Sequence, residues 1–99
     1  MPLTIEEIQE QAKELASHFN GVTLERRVAF LVTEVGEVAQ EVLSLSGAYN
    51  DADREAALQN LGLEMYDVLW NLCDLANMVG IDLDEAARRK IEINRQREW

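Results

Sequence analysis

The 99-residue chain holds one cysteine, one histidine and one proline, and each scarcity removes a class of structure. Cys73 has no partner, so an internal disulfide is excluded. One Cys and one His, His18, cannot build a zinc site from thiolates and imidazoles, so any metal must be held by oxygen. Proline stands only at position 2, which leaves long segments free of strong helix breakers. No apolar run approaches 18 residues and no charged-then-apolar leader is present, so the expectation is a reduced, cytoplasmic protein without a membrane span. Positive charge is also scarce: nine Lys and Arg stand against 19 Asp and Glu, a formal charge of −10. Nucleic acid and anionic membranes are repelled by such a surface. Yet 47 % of the residues are hydrophobic, too many for a disordered acidic tail. A chain this short makes a single domain over 1–99 and buries about two-thirds of its unfolded surface, so its core is thin and partners that share it are expected.

What is present reads as helix throughout. Thr4 opens a capping box with Glu7, and Ile5, Ile8, Ala12, Leu15 and Phe19 recur at helical spacing until Asn20-Gly21, predicting a first helix over 4–19. Thr23 caps a second helix that stops at Gly47. A loop over 47–53, capped by Asp51 or Asp53, leads to a third helix over 54–79 that Gly80 ends. Asp82 and Glu85 form another capping box for a fourth helix reaching Arg97. Short connections make these antiparallel neighbours in an all-α, four-helix bundle.

The two central helices are apolar on most sides, and each carries one polar seam. Glu34, Glu37 and Glu41 lie in a line on the second helix, while Asn60, Glu64, Asp67, Asn71 and Asp74 step by three or four along the third. In an antiparallel hairpin, residues equidistant from the turn lie side by side. The pairs Glu34 with Asp67 and Glu37 with Glu64 are both centred between Asn50 and Asp51, inside the loop. Four carboxylates therefore gather within about one helical turn. The ordinary reading is a solvated acidic face, but such faces mix Lys with Glu, and from 28 to 87 the only basic residue is Arg54 beside twelve acids. The expectation is that nothing in the seam finds a salt-bridge partner and that Mg²⁺ or Mn²⁺ neutralises it. A ferritin-like di-iron site needs Glu-x-x-His pairs, which are absent. Clustered oxygen-held cations suit phosphate chemistry, in which they bridge phosphate oxygens and acidify water.

Four ordered blocks sharpen this: Thr33-Glu34-Val35-Gly36-Glu37-Val38, Leu63 to Asn71, Gly80-Ile81-Asp82-Leu83, and Lys90 to Arg97. Together, over about residues 24 to 97, the chain resembles the MazG-like nucleotide pyrophosphohydrolases of the all-α NTP pyrophosphatase superfamily, which includes the dCTP pyrophosphatases. The resemblance implies hydrolysis of a nucleoside triphosphate to the monophosphate and pyrophosphate, with Glu34, Glu37, Glu64 and Asp67 as catalytic metal ligands for Mg²⁺. It also implies phosphate contacts from Lys90, Asn94 and Arg95, with Arg97 as the competing cation of that block. Asn71 stands where dCTP-specific relatives carry Tyr, and His18 where they set an aromatic against the base, so both are candidate substrate contacts. Thr33 replaces a second Glu found in many relatives. Glu41 reads equally as a further ligand or a solvated acid, Tyr66 and Trp70 as core or subunit contacts. Gly36 and Gly62 each cost about 1 kcal/mol of helix stability, and close approach of backbones or of the metal would explain them. A homodimer or dimer of dimers is expected to complete the core. The competing reading is a non-catalytic helical module that binds a nucleotide or a partner helix and retains the acidic site.

Overall fold

Side-chain caps set the helix starts. In the computed structural model, which describes residues 2–18 and 21–98, Thr4 accepts from Glu7 N at 3.1 Å and opens α1, Ile5–Ala16. Thr23 accepts from Arg26 N at 3.2 Å and opens α2, Leu24–Ser46. Asp82 accepts from Glu85 N at 3.1 Å and opens α4, Leu83–Arg95. The remaining helix, α3, spans Asp51–Val79 and starts earlier than its sequence suggests, because Asn50, rather than Asp51 or Asp53, is the cap and accepts from Asp53 N at 2.8 Å. Its end follows the sequence: Gly80 takes φ 76°, a left-handed conformation that glycine adopts without a Cβ clash, and Ile81 N reaches back to Ala76 O at 2.8 Å. The first helix closes at Ala16 and the last at Arg95, each about a turn or less short of expectation. Phe19 and Asn20, expected at the end of α1, lie outside the described residues. Among the described residues there are four helices and no strand, and no helix is long and apolar enough to cross a membrane.

The hairpin of α2 and α3 is the principal packing unit, α1 lies on α3, and α4 packs chiefly on α1. A small core of Ile8, Ala12 and Cys73, flanked by Ile5, Tyr66, Trp70 and Leu83, joins α1 to α3. Gln9 locks the same corner from within. Its Nε2 donates to Asn77 Oδ1 at 2.9 Å and to Ile81 O at 3.0 Å, its Oε1 accepts from Leu83 N at 3.0 Å, and Asn77 Nδ2 donates to Gln9 O at 2.9 Å. Every polar group of that buried amide is therefore satisfied, and one of the unpaired N–H groups at the start of α4 is satisfied with it.

The sequence suggests two central helices buried on most sides, and the single chain departs from this. Val32, Val35, Val42 and Leu43 on α2 and Leu63, Met65 and Leu69 on α3 are all exposed. The accessible surface is 7649 Å², against about 5,700 Å² for a folded monomer of this mass. The radius of gyration is 16.2 Å, where a closed domain of this length has about 13 Å. Four helices alone do not close around their own apolar faces. Nor does close backbone approach within the chain account for the helix glycines: a Cβ at Gly36 or Gly62 would meet nothing within 4 Å.

Candidate active site

Register within the hairpin builds the site. Because α2 and α3 are antiparallel about the short connection after Ser46, Glu37 comes level with Glu64, and Glu34 with both Glu64 and Asp67. Carboxylate oxygens of Glu34, Glu37 and Glu64 lie within 4.8 Å of one another. Asp67 stands outside that triad and is exposed, yet its charge acts on both Glu34 and Glu64. The Oε2 atoms of Glu34 and Glu64 are shielded from solvent and take no hydrogen bond from the chain. None of the four acids forms an ion pair among the described residues.

Their titration records the crowding. Glu64 is pushed up to about 7 from an ordinary 4.5, first by a hydrogen bond shared with Glu37, then by desolvation and by the charges of Glu37, Asp67 and Glu34. Glu34 is raised too, chiefly by desolvation and then by Glu37 and Asp67, against a smaller lowering by its contact with Glu64. Like charges at this spacing cannot all ionise cheaply. Two orphaned buried oxygens within an all-oxygen donor set match a hard divalent cation, so the residues fit the metal that the sequence suggests.

Beside the triad opens a cleft of about 740 Å³, within the range of small-molecule sites. Its apolar walls come from the end of α1 (Leu15), from Phe30 on α2 and from Tyr66 and Trp70 on α3, and Glu34, Asp67 and the exposed His18 line it as well. Tyr66 and Trp70 also touch the small core, so they serve as core residues and as cleft wall at once.

At the back of the cleft lies a buried polar network that overturns one expectation about the seam. Arg27, one residue before the stretch in which Arg54 is the only basic residue, sets Nε 2.7 Å from Asp74 Oδ2, a charge contact without the alignment of a hydrogen bond. Arg27 Nη1 donates to Asn71 Oδ1 at 2.8 Å, and Asn71 Nδ2 donates to Asp67 O at 2.7 Å. The seam thus divides: its acids near the turn are unpaired, whereas Asp74 is paired. The pairing was available in the sequence, because Arg27 and Asp74 are centred on the same point between Asn50 and Asp51 as the acid pairs. Asn71 lines the cleft, but both ends of its amide are engaged by the protein.

The fourth helix is not brought to this cleft. Lys90, Arg95 and Arg97 are exposed and Asn94 is half-buried, and none lines the cavity. Asn94 Oδ1 is nevertheless shielded and accepts no hydrogen bond. Glu41, one turn further along α2, is half-buried and outside the triad.

Comparison with known proteins points the same way as the geometry. Residues 22–98 match the MazG nucleotide pyrophosphohydrolase domain. The chain is also similar to a dATP/dGTP diphosphohydrolase of Cyanophage S-2L, 31 % identical over 99 residues, which cover 100 % of this chain and 81 % of that protein.

Proposed function

The chain belongs to the MazG nucleotide pyrophosphohydrolase family, and from that premise we propose that it hydrolyses a deoxynucleoside triphosphate to the monophosphate and pyrophosphate with Mg²⁺, or Mn²⁺ in its place. The similarity to the phage enzyme favours a purine nucleotide. The observation that carries the reading is the Glu34, Glu37 and Glu64 triad, with its two shielded and unpartnered oxygens, joined through Glu34 to a cleft of nucleotide size that Asp67 also lines.

Glu34, Glu37 and Glu64, with Asp67 beside them, would hold the cation. A divalent ion bound there supplies positive charge for the phosphate oxygens and acidifies water. The chain's own groups do the rest. Whichever of the three glutamates is left free of the cation takes the proton from the attacking water. The aromatic walls exclude solvent from the base, and the acids fix where the phosphates lie. Lys90, Asn94, Arg95 and Arg97 contact the outer phosphates, where their donors meet the charge that develops on the leaving group.

Because α4 lies away from the cleft of its own chain, we assign those contacts to a cleft shared with a second copy. Surplus accessible surface supports this: about 1,900 Å² per chain is the scale of a large obligate interface. On this reading residues 1–99 act as one domain within a homodimer or dimer of dimers. Its role is to clear unwanted nucleotides from the cytoplasmic pool. Incubation with each dNTP and Mg²⁺, followed by assay of pyrophosphate, tests the proposal. Release from a purine dNTP is expected; no release from any nucleotide would refute it and leave a binding module.

A further inference from the structure

The acidic triad does not explain what the back of the cleft is for. Arg27 is only 6 % exposed, yet it lines the cavity. Asp74, 3 % exposed, sits against its Nε, and Asn71, 5 % exposed, takes a hydrogen bond from its Nη1. The guanidinium carbon stands 5.0 Å from the Trp70 ring centroid and 5.7 Å from that of Phe30. Its Nη2 gives no hydrogen bond to any described residue.

A guanidinium held this way is pre-organised, because its rotamer is set by packing and by two polar partners before any ligand arrives. It offers donors only and does not deprotonate. Since it is already desolvated, a ligand presenting acceptors to it gains a charge-assisted hydrogen bond without the cost of drying the cation, while a ligand presenting a donor leaves a buried group unmatched. The two common purines differ at this point. Guanine shows two adjacent acceptors, O6 and N7, which a guanidinium matches, whereas adenine replaces the first with an amino donor.

We propose that Arg27 selects the base, binding the O6 and N7 edge of a 6-oxopurine and rejecting adenine, with Asp74 and Asn71 as positioning residues that aim the guanidinium. This rests on the reading above that a purine nucleotide occupies the cleft. It assigns Asn71 a supporting role: the amide holds Arg27 and does not itself read the base.

Equilibrium binding of dGMP, dIMP, 7-deaza-dGMP and dAMP to the full chain, measured by calorimetry without metal, isolates the base contact from the chemistry. dGMP and dIMP should bind alike, and about tenfold to a hundredfold more tightly than dAMP. Loss of N7 should move 7-deaza-dGMP toward dAMP. In R27M/D74L, which removes both charges together so that neither is stranded, the dGMP to dAMP ratio should collapse toward one while circular dichroism reports a folded chain. R27K keeps the charge against Asp74 but lacks the fork, and should lose most of the same ratio. Equal binding of dGMP and dAMP by the parent, binding of neither, or a preference that survives in folded R27M/D74L overturns the assignment. Pyrophosphate release from dGTP and dATP, followed in parallel, separates the two ideas. Release without base preference refutes Arg27 as selector and leaves the reaction standing; base preference without release does the reverse.

Discussion

Replacing Asp74 with alanine strands Arg27 as a cation whose side chain is 8 % exposed, with no counter-charge. The cost is that of a buried charge left unpaired, about 3 to 5 kcal/mol, and it exceeds what the pair itself contributes because the guanidinium cannot return to water without opening the hairpin. A domain of this size holds about 5 to 15 kcal/mol in all, and the small core of Ile8, Ala12 and Cys73 argues for the lower end. The substitution should therefore remove a large part of the folding free energy. Since 1 kcal/mol moves Tm by roughly 4 to 8 °C for such a domain, Tm should drop by about 12 °C or more. Urea unfolding followed by far-UV circular dichroism, at one chain concentration and in chelator, measures the loss; the fixed concentration matters wherever association contributes. Removing both charges in R27M/D74L should cost less than D74A alone, since paired deletion into an apolar setting is often close to neutral. An Asp74→Ala chain that unfolds within about 1 kcal/mol of the parent would show that Arg27 reaches solvent, and the buried network would have to be abandoned.

Three further outcomes bear on the site and the helices that carry it. In the parent chain, Mg²⁺ at a hundred times its dissociation constant should stabilise by about 2.7 kcal/mol; Glu37→Gln should lose that gain and, with it, about 100-fold or more of pyrophosphate release, so an unchanged metal response would rule out Glu37 as a ligand. Glu64 titrates near 7 in the folded, metal-free chain against an ordinary 4.5, so between those values the native state holds a proton that the unfolded chain has released. Its stabilising contribution is whole below about 4.5 and is lost as pH rises through about 7. In chelator, the Tm difference between parent and Glu64→Gln should fall across that window, and a flat difference would contradict the shared proton with Glu37. Gly62→Ala, which meets open space within the chain, should gain about 1 kcal/mol of helix stability; a loss of stability with no change in molecular mass in solution would speak against that openness.

Much of the fold was legible because caps are local. Thr4, Thr23 and Asp82 each bond a backbone N–H three residues on, and that spacing is visible in sequence. Asn50 was missed as the cap of α3 because Asn50, Asp51 and Asp53 all carry a suitable oxygen, and only the backbone decides which stands at the extended position. The acidic triad was legible for a different reason: equidistance from the turn is arithmetic once two helices are known to be antiparallel. Arg27 stands out less because it lies one residue before the acid-rich stretch, beside Arg26 at the start of α2, although the same arithmetic pairs it with Asp74. Position of α4 was not legible at all. Its cations resemble a phosphate-binding block, but where a terminal helix docks depends on contacts such as those of Gln9 with Asn77, Ile81 and Leu83, which no periodicity announces.

The connection between α2 and α3, from Gly47 to Asn50, acts as a gauge block. Arg27 with Asp74, Glu34 with Asp67 and Glu37 with Glu64 are all set by its length, so the hairpin has one adjustable dimension and the cleft inherits it. One residue added in register to either helix would slide its partners by about 1.5 Å and swing them by about 100°. The acid triad and the buried pair would be lost together, even though they lie about two to three turns apart. Side chains in this hairpin can be exchanged one at a time, but its turn can be lengthened or shortened only at the expense of the acidic triad and the buried Arg27–Asp74 pair at once.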